Sequence, residues 1–175
     1  MDLAARSPAY EGLAIELAVE DEGWHDAGLG DLEAFARRFV EAAARRAGVP
    51  DDVETELSVT LTGDAAVQAL NAEWRNKDRP TNVLSFPIRQ LQPGERPGPL
   101  LGDLVLARET VEREAAAEDK RFADHAGHLL VHGMLHLLGH DHIDDETADA
   151  MEALEIEALA DLGIADPYAD APEHL

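Results

Sequence analysis

Period-two and helix-period apolar patterns alternate along this chain of 175 residues, and that alternation limits the fold more than any other feature of the sequence. Leu13 to Val19 alternates around Ile15 and Glu16 as a strand does, with Gly23, Gly28 and Gly30 in the loop that follows. From Asp31, a possible cap, the residues Leu32, Phe35, Phe39, Val40 and Ala43 recur at helical spacing until Gly48-Val-Pro50 ends the run. Glu56 to Thr62 reads as a second strand, and Gly63-Asp64 opens a helical pattern through Val67, Leu70 and Trp74. Two short β-like runs, Val83 to Phe86 and Leu101 to Ala107, flank the turn cluster Pro93, Gly94, Pro97, Gly98 and Pro99, as neighbouring strands joined by a loop would. Helical spacing then dominates from about Glu109 to Leu138 and again from Asp145 to Leu162. The expectation is a mixed α/β (α+β) fold, one domain over residues 1–175, with a small central sheet of about four strands and about five helices. Residues 1–10 and 163–175 read as irregular tails, and periodicity leaves the strand order open.

Composition narrows the chemistry. Apolar residues make up 45% of the chain, enough for a core without staples. There is no cysteine, so disulfides, thiolate ligands and thiol nucleophiles are all excluded, and any metal must be held by nitrogen and oxygen. The start, Met1-Asp-Leu-Ala-Ala-Arg6, lacks the basic and apolar regions of a signal peptide, and no apolar run is long enough to span a bilayer. A cytoplasmic protein without a membrane partner is the expectation. The formal charge of −23 repels polyanions unless positive charge is locally concentrated, which argues against generic nucleic-acid binding and against DNA.

Histidine chemistry therefore comes to the front. His132 and His136 stand four residues apart in a helical segment rich in Leu, Val and Met, so their rings project from one face, one turn apart. Gly139 falls where a left-handed residue ends a helix, and the turn it permits swings His142 back toward the same point. Three protein nitrogens leave a coordination position open, the arrangement of a catalytic zinc site with one ion per chain. The competing reading, histidines hydrogen-bonded in the core, suits an isolated i,i+4 pair better than a pair followed by a glycine turn and a third histidine. His128 continues the four-residue spacing, but each such step rotates about 40° around a helix, which makes it a supporting or substrate-contacting group. His140 reads as a turn residue and His125 as a packing or solvent residue. The spacing is also that of metzincin proteases, but Gly133 occupies the position where those enzymes carry their glutamate base.

Asn71-Ala-Glu-Trp-Arg75-Asn-Lys77-Asp-Arg79-Pro-Thr-Asn-Val-Leu-Ser-Phe-Pro87 is the densest mixture of cations and turn formers in this acidic chain. The guanidinium of Arg75 suits phosphate oxygens, and beside a metal it would offset charge in a phosphoryl transition state. Arg75, Lys77, Arg79, Ser85 and His128 are the candidate substrate contacts, with Arg37, Arg38 and Arg89 as possible extensions of a basic patch. In order and separation, Asn71 to Pro87, Gly102-Asp103-Leu-Val and His132 to His142 match the motifs of the YbeY family, and the resemblance covers roughly residues 55 to 160.

The resemblance implies a single-strand-selective, metal-dependent endoribonuclease that processes the 3′ end of small-subunit ribosomal RNA and acts in ribosome quality control. It further implies His132, His136 and His142 as ligands of a zinc ion, Arg75 and His136 as catalytic residues, and Asp141 as a group that orients a ligand. Small-subunit ribosomal proteins or an assembly GTPase are the implied partners beside single-stranded RNA. Asn82 and His140 depart from the aspartate and tyrosine frequent in that family. Two other functions compete: a ribosome-assembly factor with a structural metal and little catalysis of its own, and a metallopeptidase-like hydrolase.

Overall fold

The computed structural model describes residues 10–169. Nine regular elements follow one another as β1 (Leu13–Val19), α1 (Leu32–Arg46), β2 (Thr55–Thr62), α2 (Asp64–Arg75), β3 (Val83–Pro87), β4 (Leu100–Ala107), α3 (Arg108–Ala117), α4 (Phe122–Leu137) and α5 (Asp145–Asp161), with a short 3-10 turn at Glu22–Trp24. The four strands form one sheet in the order β1-β2-β4-β3. β1 and β4 run parallel to β2 on either side of it, and β3 closes the edge antiparallel to β4. The expected four strands and five helices are thus present among the described residues, and the two runs flanking the proline-glycine cluster are indeed neighbours.

Alternation decides which face each strand residue covers. Leu57, Val59 and Leu61 of β2 and Leu104 and Leu106 of β4 enter the main core beneath α1 and α4. Leu84 and Val105 face the opposite side, where α2 contributes Val67. The sheet is therefore a middle layer between α2 and the remaining helices. Asp31 caps α1 as expected, its Oδ1 accepting from Ala34 N at 2.9 Å, and Phe39 on the inner face of that helix is fully buried. Burial of such a ring stabilises the fold by roughly 1.5–3 kcal/mol.

Two readings need correction. The helical pattern from Glu109 to Leu138 is broken into α3 and α4, because Asp119 takes a left-handed conformation (φ 57°) and Lys120 N bonds back to Ala115 O. Trp74, placed on the apolar stripe of α2 by periodicity, is 65% exposed, because the cover over that helix reaches Val67 and Asn71 but not its last turn. Of the expected tails, residues 1–9 and 170–175 lie outside the described residues, while 163–169 form turns that return to the protein.

α4 is the central helix, packed against α1, α3, α5 and the strands β3 and β4. Gly133 makes this approach possible, since a Cβ there would stand 2.7 Å from Leu104 Cδ2 in the buried face of β4. Position 133 points into the sheet, so a glutamate at that place would have no access to a metal or a substrate. Gly139 follows the helix with φ 104°, and a Cβ there would collide with Leu91 O. The left-handed turn read from sequence is the one that forms, and it directs residues 140–143 back across the end of α4.

Candidate active site

His132 and His136 emerge from α4 one turn apart, and each ring is held through Nδ1. His136 Nδ1 bonds to His140 O at 3.1 Å. A carbonyl can only accept, so this nitrogen carries the proton and Nε2 keeps its lone pair. Burial pushes the His136 pKa below the ordinary histidine value, assisted by the neighbouring His132 and His142, which keeps the ring neutral at pH 7. His132 Nδ1 lies 2.6 Å from Glu155 Oε2. Glu155, on α5, is 1% exposed and was not anticipated from sequence. Burial alone would push its carboxyl up, but the hydrogen bonds from His128, His132 and Tyr168 together bring it down to about 2. As an ionised carboxylate it only accepts, so His132 is the Nδ1–H tautomer as well.

The same carboxylate explains His128. Its Nε2 donates to Glu155 Oε1 at 2.7 Å, and its Nδ1 is buried with no partner among the described residues. The ring therefore supports Glu155 through Nε2, and its one unpartnered nitrogen is buried. His125 is buried against Glu114, Nε2 to Oε1 at 2.9 Å, in agreement with a packing role. His140 is a turn residue whose carbonyl, rather than its ring, serves the site.

His142 is held less firmly. Its ring centre lies 5.7 Å from that of His132, and its side chain is 59% exposed. Asp141 Oδ1 accepts from His142 N at 2.7 Å but is 3.9 Å from the ring nitrogen, so it fixes the turn rather than the imidazole. Among the described residues, no three His, Asp or Glu side chains converge closely enough to enclose an ion as they stand. The donor chemistry nevertheless fits a divalent metal, because His132 and His136 both present unprotonated Nε2 atoms and both have an outer partner on Nδ1.

On the other side of β3, Arg75 at the end of α2 donates to Ser85 O at 3.2 Å and lies over the Phe86 ring. Ser85 shares the strand face of Val83, which packs on the main core, so this edge strand links Arg75 to the layer containing α4. Among the described residues Lys77 and Arg79 make no ion pair. Arg37 and Arg89 are instead tied to Glu41 and Glu95, so neither extends the cationic segment, while Arg38 lies over Phe39 on α1 and donates to Leu162 O. Arg75, Lys77 and Arg79 thus stand within five positions of one another without an ion pair, as Arg38, Arg45 and Arg121 do singly elsewhere among the described residues.

A cleft of about 660 Å³ runs from His132 along α4, past His128 and His125, between Asn82 and Tyr168. Asn82 Nδ2 donates to Glu114 Oε1 at 2.9 Å. An aspartate at position 82 would set two carboxylates against each other, so the asparagine is matched to its neighbour. Glu155 had one signal in the sequence: it lies in phase with Met151, Ala158 and Leu159, a charged residue on an otherwise buried helical stripe.

Comparison with known proteins finds relatives over most of the chain. The chain is 52% identical to an endoribonuclease YbeY of Agrobacterium fabrum over 162 residues, covering 90% of this chain and 95% of that protein. It is 49% identical to that of Allorhizobium ampelinum over 161 residues, with the same coverage, and 48% identical to that of Rhizobium meliloti over 167 residues, covering 93% and 98%. The solution structure of TM1509 from Thermotoga maritima shares the fold with a TM-score of 0.53 at 22% identity, covering 92% of this chain and 99% of that one. The family model described as endoribonuclease YbeY matches residues 19–163, and this chain belongs to that family.

Proposed function

We propose that this protein is a divalent-metal-dependent endoribonuclease that cuts single-stranded RNA, with the 3′ end of small-subunit ribosomal RNA as its substrate and ribosome quality control as its wider role. The observation that carries the reading is the pair of Nε2 lone pairs on His132 and His136, each fixed by a partner on Nδ1. With His142 they would hold a zinc ion, which supplies a Lewis acid for a phosphate oxygen. Arg75, anchored on the Ser85 carbonyl, holds the scissile phosphate and offsets its developing charge, with Lys77 and Arg79 leading the strand in. Glu155 is buried and engaged by three donors, so it orients rather than removes a proton. Attack by water then leaves a 5′-phosphate and attack by the RNA 2′-hydroxyl a cyclic phosphate, which end-group analysis separates. The acidic remainder of the surface favours delivery of the RNA by a ribosomal protein or an assembly GTPase in the cytoplasm. No helix among the described residues is long and apolar enough to cross a membrane.

The deciding experiment is cleavage of a single-stranded RNA by metal-reconstituted protein beside His136→Ala and Arg75→Ala prepared identically. Wild-type cleavage is expected to fall by roughly 10²–10³-fold in Arg75→Ala and further in His136→Ala. Equal cleavage in all three, or none in any, overturns the reading and favours an assembly factor. That alternative also requires a metal that holds the fold. The three histidines lie outside the main apolar cluster, so chelation is expected to leave the cooperative melt in place. A peptidase is opposed by Gly133, whose position faces Leu104.

A further inference from the structure

Residues 164–169, after α5, lie beyond the residues matched by the family model, yet they reach into the histidine network. Lys120 Nζ, in the turn between α3 and α4, donates to Pro167 O at 2.9 Å, and Tyr168 N donates to Asp166 Oδ1 at 2.7 Å. These bonds pin a short strap at the mouth of the cleft. The Tyr168 ring stands edge-on to His128, with ring centres 5.5 Å apart and planes at 89°. Its hydroxyl donates to Glu155 Oε1, the oxygen that also accepts from His128, while Oε2 accepts from His132. Glu155 is thus gripped from α4 on both oxygens and from the strap on one.

We infer that Tyr168 and Glu155 are a positioning pair for His132: the strap hydroxyl fixes the buried carboxylate, and the carboxylate fixes His132 as the Nδ1–H tautomer with Nε2 presented to the ion. This rests on the reading of His132 as a metal ligand. Each donor restrains the turning of the carboxylate about its last torsion, and the histidine ring follows the oxygen it donates to. Tyr168 adds a second donor on Oε1, which His128 would otherwise hold alone. Outer partners of this kind are typically worth roughly 10–100-fold in metal affinity.

Ring packing of Tyr168 on His128 would by itself explain a structural role, and Tyr168→Phe separates the two because it keeps the ring and removes the hydroxyl. The experiment compares wild type, Tyr168→Phe and Glu155→Gln in two measurements: long-range proton–nitrogen correlation spectra of the imidazoles in metal-free protein, and Co²⁺ affinity by chelator competition. Wild-type His132 is expected as a single Nδ1–H tautomer. Tyr168→Phe is expected to show a mixture of tautomers and a Co²⁺ affinity lower by about tenfold, and Glu155→Gln a loss nearer 100-fold. Wild-type tautomer signals in Tyr168→Phe, or unchanged Co²⁺ affinity in both variants, overturn the inference. Should Glu155→Gln not fold, Tyr168→Phe decides alone. Absence of Co²⁺ binding to the wild type would remove the metal reading of the site, while the tautomer comparison would still judge the positioning pair.

Discussion

His132 and His136 on α4 and His142 on the turn beyond it belong to one predicted ligand set, but the fold treats them differently. The two helical rings are each locked through Nδ1 by Glu155 or by the His140 carbonyl, whereas the His142 ring is exposed and bonded only through its backbone. One part of the proposed set is held in place by the protein, and the other is not. The difference arises from burial: α4 is walled in by three helices and two strands, and the turn is covered by nothing comparable among the described residues.

Three substitutions break or sharpen this contrast. The largest effect is expected on the walled side, at Gly133→Glu. The added carboxylate would be driven against Leu104, and the cost is about 3 kcal/mol or more in a urea unfolding series. A cost below 1 kcal/mol would show that α4 can lift off the sheet. Next comes His132→Ala against His142→Ala, both measured without metal. Loss of His132 leaves Glu155 Oε2 without its donor, for about 1–3 kcal/mol, while loss of His142 changes stability by no more than about 0.5 kcal/mol. Equal costs would mean that the two parts are held alike.

A control remote from both is Asp64, which bonds Thr110 and Arg113 across the α2–α3 contact. Burial pushes its pKa up, but the bonds from Thr110 and Arg113 outweigh that and hold it below the ordinary carboxylate value. A group depressed in the folded state stabilises above its unfolded pKa of about 3.9 and loses that contribution as the pH falls through the folded value. Asp64→Asn should therefore cost about 1 kcal/mol at pH 7 and progressively less below pH 4. A cost independent of pH would detach the effect from the charge.

The elements were legible because each buries one face of a regular period. β2 and α1 repeat their apolar residues at two and three to four, and both formed where the pattern placed them. The break at Asp119 was not legible, because an aspartate takes the left-handed turn that glycine usually signals. The histidines were legible through local spacing on one helix. Glu155 and Tyr168 were not, since they reach the site from α5 and from a stretch read as an irregular tail, and one carboxylate among 37 acidic residues carries little signal before the helices are docked. Exposure of Trp74 escaped for the same reason, as periodicity reports a face but not whether anything covers it.

The order of the elements along the chain has a consequence for how the protein is made. All four strands are complete at Ala107, while the first proposed ligand is His132, its buried carboxylate is Glu155, and the hydroxyl that grips that carboxylate is Tyr168. Translation emits a chain from its amino terminus at about 5–20 residues per second, so the scaffold, Arg75 included, leaves the ribosome seconds before the histidines of the site and their buried carboxylate. An RNA-cutting centre assembled in this order stays chemically silent until nearly the whole chain has been synthesised.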